Sequence, residues 1–428
     1  MQENKELKIK LKTVITIIVI LLIVVVAIFS VVISKKEQIS TKGGTTLIGD
    51  ESDKQQVVQS DFSMKFLKLE NDKQNMIYSP LSIKYALKML HEGANGNTKT
   101  QIENVIGEQN LTRYNNIDKV LSLANGVYIR DTYAKYVKED YRKILTEKYT
   151  AEINYDSFNN ANNINNWIEK KTLGIIKNML RDESVQNPDN KMLLINALAI
   201  DMKWENPFDS EDTRGSDFYL EDGSSMNATT MHLETSSDNV SYYKDKDITA
   251  LTMDLKEYND TQLEFVAIMP EENLSDYVET FTIDKVDNII KKSTLASKTK
   301  NGVDISIPRF SFDYDLKLKN DLIKLGITDA FDANLADFSK MSDTGLYVSD
   351  ALHKANIDFT EKGIKAAAVT VIYMTYGMAL VEDTPIEINI AKPFLYVIRD
   401  KNTGEIWFVG TVYEPNSWED DKADYQYR

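Results

Sequence analysis

The chain has 428 residues, 42% of them hydrophobic and 27% charged, enough for a large core and within the range of ordinary globular proteins. Residues 1 to 36 hold six lysines and two glutamates, a net +4, so the formal charge of −16 becomes −20 once they are set aside, a field that disfavours nucleic acid and anionic polysaccharide as partners. With no cysteine in the chain, disulfides, thiol chemistry and lipid attachment through a cysteine are excluded.

Residues 1–12 form a basic stub with Lys5, Lys8, Lys10 and Lys12. The uncharged, Ile/Val/Leu-rich run that follows, within 13–34, is long enough to cross a bilayer. It ends in Val31-Val32-Ile33-Ser34-Lys35-Lys36 without a small-residue cleavage site, which favours an uncleaved signal-anchor over a secreted, processed form. The lysine excess before the span keeps the N-terminus in the cytoplasm and turns the large domain outward. Residues 35–51 are polar, contain Gly43-Gly44 and read as a flexible linker.

A folded unit is expected from Ser52, where Ser52-Asp53-Lys54-Gln55 has capping-box spacing and Val57, Val58, Phe62, Phe66 and Leu67 recur at helical intervals. Ser79 followed by Pro80 predicts a second helix start, with Ile83, Ala86, Leu87 and Leu90 on one face. Strand-like runs are Met192 to Ile200, Leu263 to Met269, Val303 to Ile307, Ile386 to Ile390, Phe394 to Ile398 and Ile406 to Val412, with turn residues Lys401-Asn402-Thr403-Gly404 between the last two. The pattern is α+β, without a repeat of 20–50 residues. Residues 417–428 are charged and polar and read as a disordered acidic tail.

The most informative stretch runs from Glu361 to Ala391. It joins a glycine that lets the backbone pivot, small residues, and β-branched residues suited to a strand. From Ile364 to Val381 the one charge is Lys365, so the segment resembles a strand without its sheet. Ala366 to Val381 is short of the roughly 20 residues of a second span, and the whole is longer than the usual interior strand of about 5 or 6.

Catalytic signatures are absent from the sequence. His91, His232 and His353 lack partners at metal-site spacing, and no nucleophile elbow, phosphate loop or dinucleotide fingerprint occurs, so neither a metal nor a cofactor is expected. Asp420-Asp421 and Glu271-Glu272 read as solvated surface, which leaves a hydrolase built on dispersed carboxylates as a weak alternative.

Several motifs in order carry a resemblance. They are Asn75-Met76-Ile77-Tyr78-Ser79-Pro80-Leu81-Ser82; Asn196-Ala197 with Lys203-Trp204 and Pro207-Phe208; Leu352-His353-Lys354-Ala355 leading to Glu361-Lys362-Gly363; Lys392-Pro393-Phe394; and Phe408-Val409-Gly410 with Pro415-Asn416. Together they resemble the serpins over residues 52–416. The resemblance implies a serpin fold with three β-sheets, eight or nine helices and an exposed reactive-centre loop held in a metastable state. It implies a hinge at Glu361, Gly363, Ile364, Ala366, Ala367 and Ala368, a shutter of Ser79, Ser82, Asn196 and His353, and a breach residue, Trp204.

By the family's spacing the reactive bond joins Gly377 to Met378, with Tyr376 and Leu380 as alternatives. Such residues suit elastase-, subtilisin- or chymotrypsin-like serine proteases, and the lack of a nearby Arg or Lys disfavours trypsin-like ones. The implied activity is extracellular suicide-substrate inhibition through a covalent acyl complex, open also to a cysteine protease; the alternative is a noninhibitory serpin serving as a binding or chaperone module. The sequence departs from the family at Ile364, where Thr or Ser is usual, and at Lys365, where an acidic residue is usual. The bulk of Ile364 is expected to slow insertion of the loop.

Overall fold

The computed structural model describes residues 46–47, 62–107, 111–364 and 384–426. The expected cytoplasmic stub, the membrane span, the Ser52 capping box and the loop residues after Ile364 lie outside them. Among the described residues no helix is long and apolar enough to cross a membrane.

The architecture is mixed α+β, with ten α-helices among the described residues against the eight or nine expected. Ser79 caps the helix Pro80–Gly93 as anticipated, its Oγ accepting the Ser82 N–H at 3.0 Å. The predicted strands form, two of them, Met192–Ile200 and Ile406–Val412, with the expected bounds.

Two expectations fail. Within the expected tail, Trp418–Gln426 is helical and not disordered. Trp418 and Tyr425, seven residues apart and so on one helical face, stack at 5.5 Å, and Glu419, Asp420 and Asp421 sit in the first turn, where negative charge suits the helix dipole. Nor is the 35–51 linker free throughout: Thr46–Leu47 pairs antiparallel with Thr112–Arg113, as extended backbone does beside an open edge.

The body rests on a seven-stranded antiparallel sheet whose successive strands are Thr294–Leu295, Val240–Lys244, Ile248–Asp254, Leu263–Pro270, Phe394–Asp400, Ile406–Val412 and Met76–Tyr78. Its central strands are buried along their length, which is why they read as continuous apolar runs rather than alternating ones. A second sheet joins Arg214–Tyr219, Ser225–Thr235, Val303–Pro308 and, parallel to the last, Ile386–Asn389.

The third sheet is divided. One half holds Glu152–Asp156, Leu121–Arg130 and Met192–Ile200; the other holds Phe310–Leu316, His353–Thr360, Gly363–Ile364 and Met202–Lys203. Met202 lies two residues past Ile200, so the two halves adjoin through the chain at that point; counted by their ladders, the described strands fall into five groups, the Thr46–Leu47 pair included. Among the described residues no ladder joins Met192–Ile200 directly to His353–Thr360. They are bridged at one end by Gly363–Ile364, which pairs with Phe359 and Thr360 on one side and with Met202 and Lys203 on the other. The chain leaves Ile364 in this sheet and re-enters a ladder at Ile386 in another, so residues 365–383 connect two sheets.

Candidate functional site

The bridge at Gly363–Ile364 is held from several directions. Trp204, fully buried, donates its indole N–H to the Thr360 carbonyl at 2.9 Å and its backbone N–H to the Lys362 carbonyl at 3.0 Å. Its ring meets Phe359 and Phe265 edge-on, at 5.2 and 5.9 Å. Thr360 Oγ1 donates to the Gly363 carbonyl at 3.1 Å. Glu361, 8% exposed, accepts at Oε1 from Thr213 Oγ1 at 3.0 Å and from the Tyr425 hydroxyl at 2.6 Å, and its carbonyl accepts the Phe208 N–H at 2.9 Å. The turn from Thr360 to Gly363 is thus fixed on several sides.

Gly363 has φ +156°, and a Cβ placed there would lie 2.1 Å from the Met202 carbonyl oxygen, so only glycine lets the two backbones approach. Ile364 is 3% exposed and packs in the main core. The departure from Thr or Ser is accommodated by an apolar site at this end of the sheet.

Below Ile364 a slot runs between Asn196–Ile200 and His353–Asp358, floored by Ile77, Ile398 and Phe408. It adjoins a largely apolar cavity of about 210 Å³ that reaches between residues 189–196 and 346–353. All four expected shutter residues line the slot. His353 Nε2 accepts the Ser79 backbone N–H at 3.0 Å, which ties a strand of the divided sheet to the capped start of the helix beneath. An accepting Nε2 places the proton of the neutral ring on Nδ1. Burial lowers the His353 pKa from 6.5 to about 4. Asn196 Nδ2 donates to Asn125 Oδ1 at 2.8 Å, and Asn125 Nδ2 donates to the Tyr149 carbonyl at 2.8 Å. Asn196 Oδ1 is buried without a hydrogen-bond partner among the described residues.

Of the expected residues, then, Glu361, Gly363, Ile364 and Trp204 meet at one end of the slot, and Ser79, Ser82, Asn196 and His353 meet along it. Ala366, Ala367, Ala368, Tyr376, Gly377, Met378 and Leu380 lie outside the described residues. Sequence reasoning missed Asn125, Thr213 and Tyr425. An amide amid the apolar residues of Leu121–Arg130 was the available signal for Asn125, and two aromatics seven apart in a charged run was that for Tyr425.

A family model described as "Serpin (serine protease inhibitor)" matches residues 58–415. The chain is 30% identical to a serpin-like protein of Methanosarcina mazei over 78% of its own length and 80% of that protein. Among solved structures it resembles a thermophilic serpin, tengpin, in the native state, at 29% identity and a TM-score of 0.69, covering 86% of this chain and 99% of that one. It also resembles thyroxine-binding globulin in complex with thyroxine, at 26% identity and a TM-score of 0.67, covering 83% and 97%.

Two outcomes follow from this geometry. Gly363→Ala should cost about 1–3 kcal/mol in denaturant unfolding, because the new Cβ forces the two bridging residues out of register; unchanged stability would contradict a seated bridge. A His353 that titrates near 4 when folded and near 6.5 when unfolded binds fewer protons in the folded state across that window. Its contribution is therefore complete above 6.5 and is lost as pH falls toward 4, by up to roughly 3 kcal/mol. Histidine-resolved NMR titration should leave His353 neutral until about 4; a midpoint near 6.5 would reject its buried, accepting role.

Proposed function

The chain belongs to the serpin family, and we propose that it is an inhibitory serpin: a suicide substrate that traps serine proteases of elastase-, subtilisin- or chymotrypsin-like specificity. The observation that carries this reading is the seated pair Gly363–Ile364, which makes the first rungs of a strand between Met202–Lys203 and Phe359–Thr360. Strand addition to a sheet, of which serpin loop insertion is itself a standing example, needs such a start and a slot to follow.

In the proposed sequence the protease serine attacks the Gly377 carbonyl. The peptide bond to Met378 breaks, the new amine leaves with Met378, and an ester joins Gly377 to the enzyme. The severed strand then continues downward from Ile364, carrying the enzyme with it. About 14 residues at about 3.3 Å each move the acyl group by some 45 Å. New ladder bonds at roughly 1 kcal/mol apiece, with burial of small and β-branched side chains over the apolar floor, supply on the order of 10 kcal/mol or more. A displacement of about 1 Å within a catalytic site costs roughly 100-fold, so hydrolysis of the ester stalls. A cysteine protease would be held through the corresponding thioester.

The proposed setting is extracellular, with the apolar run in 13–34 as the anchor and the net charge of the remainder keeping the inhibitor soluble beside the membrane. Full-length chain incubated with the three protease classes should yield an adduct stable to denaturing electrophoresis and release a peptide starting at Met378. Ala368→Arg, which places a charge on the face that must be buried, should leave cleavage intact and abolish the adduct. Undiminished trapping by Ala368→Arg would reject insertion. Cleavage of the parent chain without any adduct would instead favour the binding-module alternative.

A further inference from the structure

The helix Trp418–Gln426 lies beyond the 58–415 stretch that the family model matches, yet it reaches the hinge. Its start is fastened to the second sheet through Thr229, to the third through Ser311, and to Arg309 between them. The Asn416 carbonyl accepts the Thr229 N–H at 2.9 Å, the Asn416 N–H donates to the Arg309 carbonyl at 3.0 Å, and Asn416 Oδ1 accepts the Ser311 N–H at 3.0 Å. Trp418 covers Gly215 so closely that a Cβ there would lie 2.8 Å from the indole. On the opposite side Trp418 stacks on Tyr425, whose hydroxyl donates to Glu361 Oε1 at 2.6 Å and accepts from Arg309 Nη1 at 2.9 Å.

Nine residues are too few for a stable isolated helix, since free helices shorter than about 12–15 residues are marginal in water. This one persists through its anchors. Burial first, then the bond to Glu361, hold the Tyr425 phenol well above its usual pKa, so it remains a donor throughout the physiological range. Glu361 is two residues from Gly363, and side-chain donors fix its carboxylate. These are Thr213 and Tyr425, one from the body and one from the C-terminal helix.

We propose that the C-terminal helix is a clasp for the hinge: Tyr425, positioned by its stack on Trp418 and its bond from Arg309, holds Glu361 so that Gly363 and Ile364 stay seated between their strands, ready to lead insertion. Tyr425 is a positioning residue, acting through Glu361. The consequence for trapping rests on the inhibitory reading above, whereas the geometry does not. After acylation, insertion races hydrolysis of the ester. A hinge already seated shortens the first step of that race; an unclasped hinge must first find its register, and more of the inhibitor is spent as plain substrate.

Tyr425→Phe in the full-length chain keeps the ring on Trp418 and removes the hydroxyl. Hydrogen exchange of the backbone amides from Glu361 to Ile364 should speed up roughly tenfold, the scale set by losing one hydrogen bond to a charged acceptor, while exchange in the central strands of the seven-stranded sheet stays as it was. With a protease that the parent chain traps, the number of inhibitor molecules cleaved per enzyme trapped should rise severalfold, with the rate of loop cleavage unchanged. In a Glu361→Ala background, Tyr425→Phe should add nothing to either readout. Unchanged exchange at the hinge, an unchanged or lower partition ratio, or additive effects in the double variant would each overturn the clasp. Should the parent chain trap no protease, the inhibitory reading alone falls, and the exchange measurement still decides the clasp.

Discussion

The structure turns on a two-residue bridge. Gly363 and Ile364 make the ladder between Phe359–Thr360 and Met202–Lys203, the pair that follows Met192–Ile200 in the chain, and they stand at the end of the buried strand pair from which residues 365–383 depart. Everything near the bridge constrains it. The absence of a side chain at Gly363 lets the Met202 carbonyl approach, Trp204 fixes the carbonyls of Thr360 and Lys362, and the Glu361 carboxylate is pinned from two elements. A strand that begins in register has paid part of its ordering entropy in advance, which is the costly step in any strand addition.

The slot below the bridge combines an inviting floor with an unresolved polar group. Ile77, Ile398 and Phe408 offer apolar surface to an incoming small-residue strand, whereas Asn196 Oδ1 is buried and unpaired among the described residues. A buried acceptor without a donor costs about 1–3 kcal/mol, a local penalty that any arrangement supplying a donor would remove. The neutral imidazole of His353 holds the other side of the slot to the cap of the underlying helix through Ser79. Sheet and helix are thus joined at this point by a hydrogen bond of modest net worth.

What could be read from the sequence was what is local. Met192–Ile200 and Ile406–Val412 were legible because each is a continuous run of strand-forming residues ended by turn residues, and the helix at Pro80 because a serine cap and a first-turn proline are adjacent in the chain. Of the positions drawn from motifs, the described ones meet: Ser79, Ser82, Asn196 and His353 along the slot, and Glu361, Gly363 and Ile364 at its end. The partners did not, since Asn125 meets Asn196, and Tyr425 meets Glu361, across 71 and 64 residues of chain. The C-terminal helix escaped notice for a related reason: its charges dominate its composition, while its order comes from two aromatics packed on a glycine and a neighbouring ring. The apolar surroundings of Ile364 were hidden for the same reason, since the site it occupies is assembled from distant strands.

The central proposal is that the native fold is not the most stable arrangement open to the chain, and that cutting the reactive bond lets the strand begun at Gly363–Ile364 lengthen. Thermal unfolding of the intact chain beside the same chain nicked at the reactive bond tests this most directly. The account predicts a rise in melting temperature of tens of degrees for the nicked form, as expected when on the order of 10 kcal/mol of new ladder and burial is realised. Coincident melting of the two forms would contradict it.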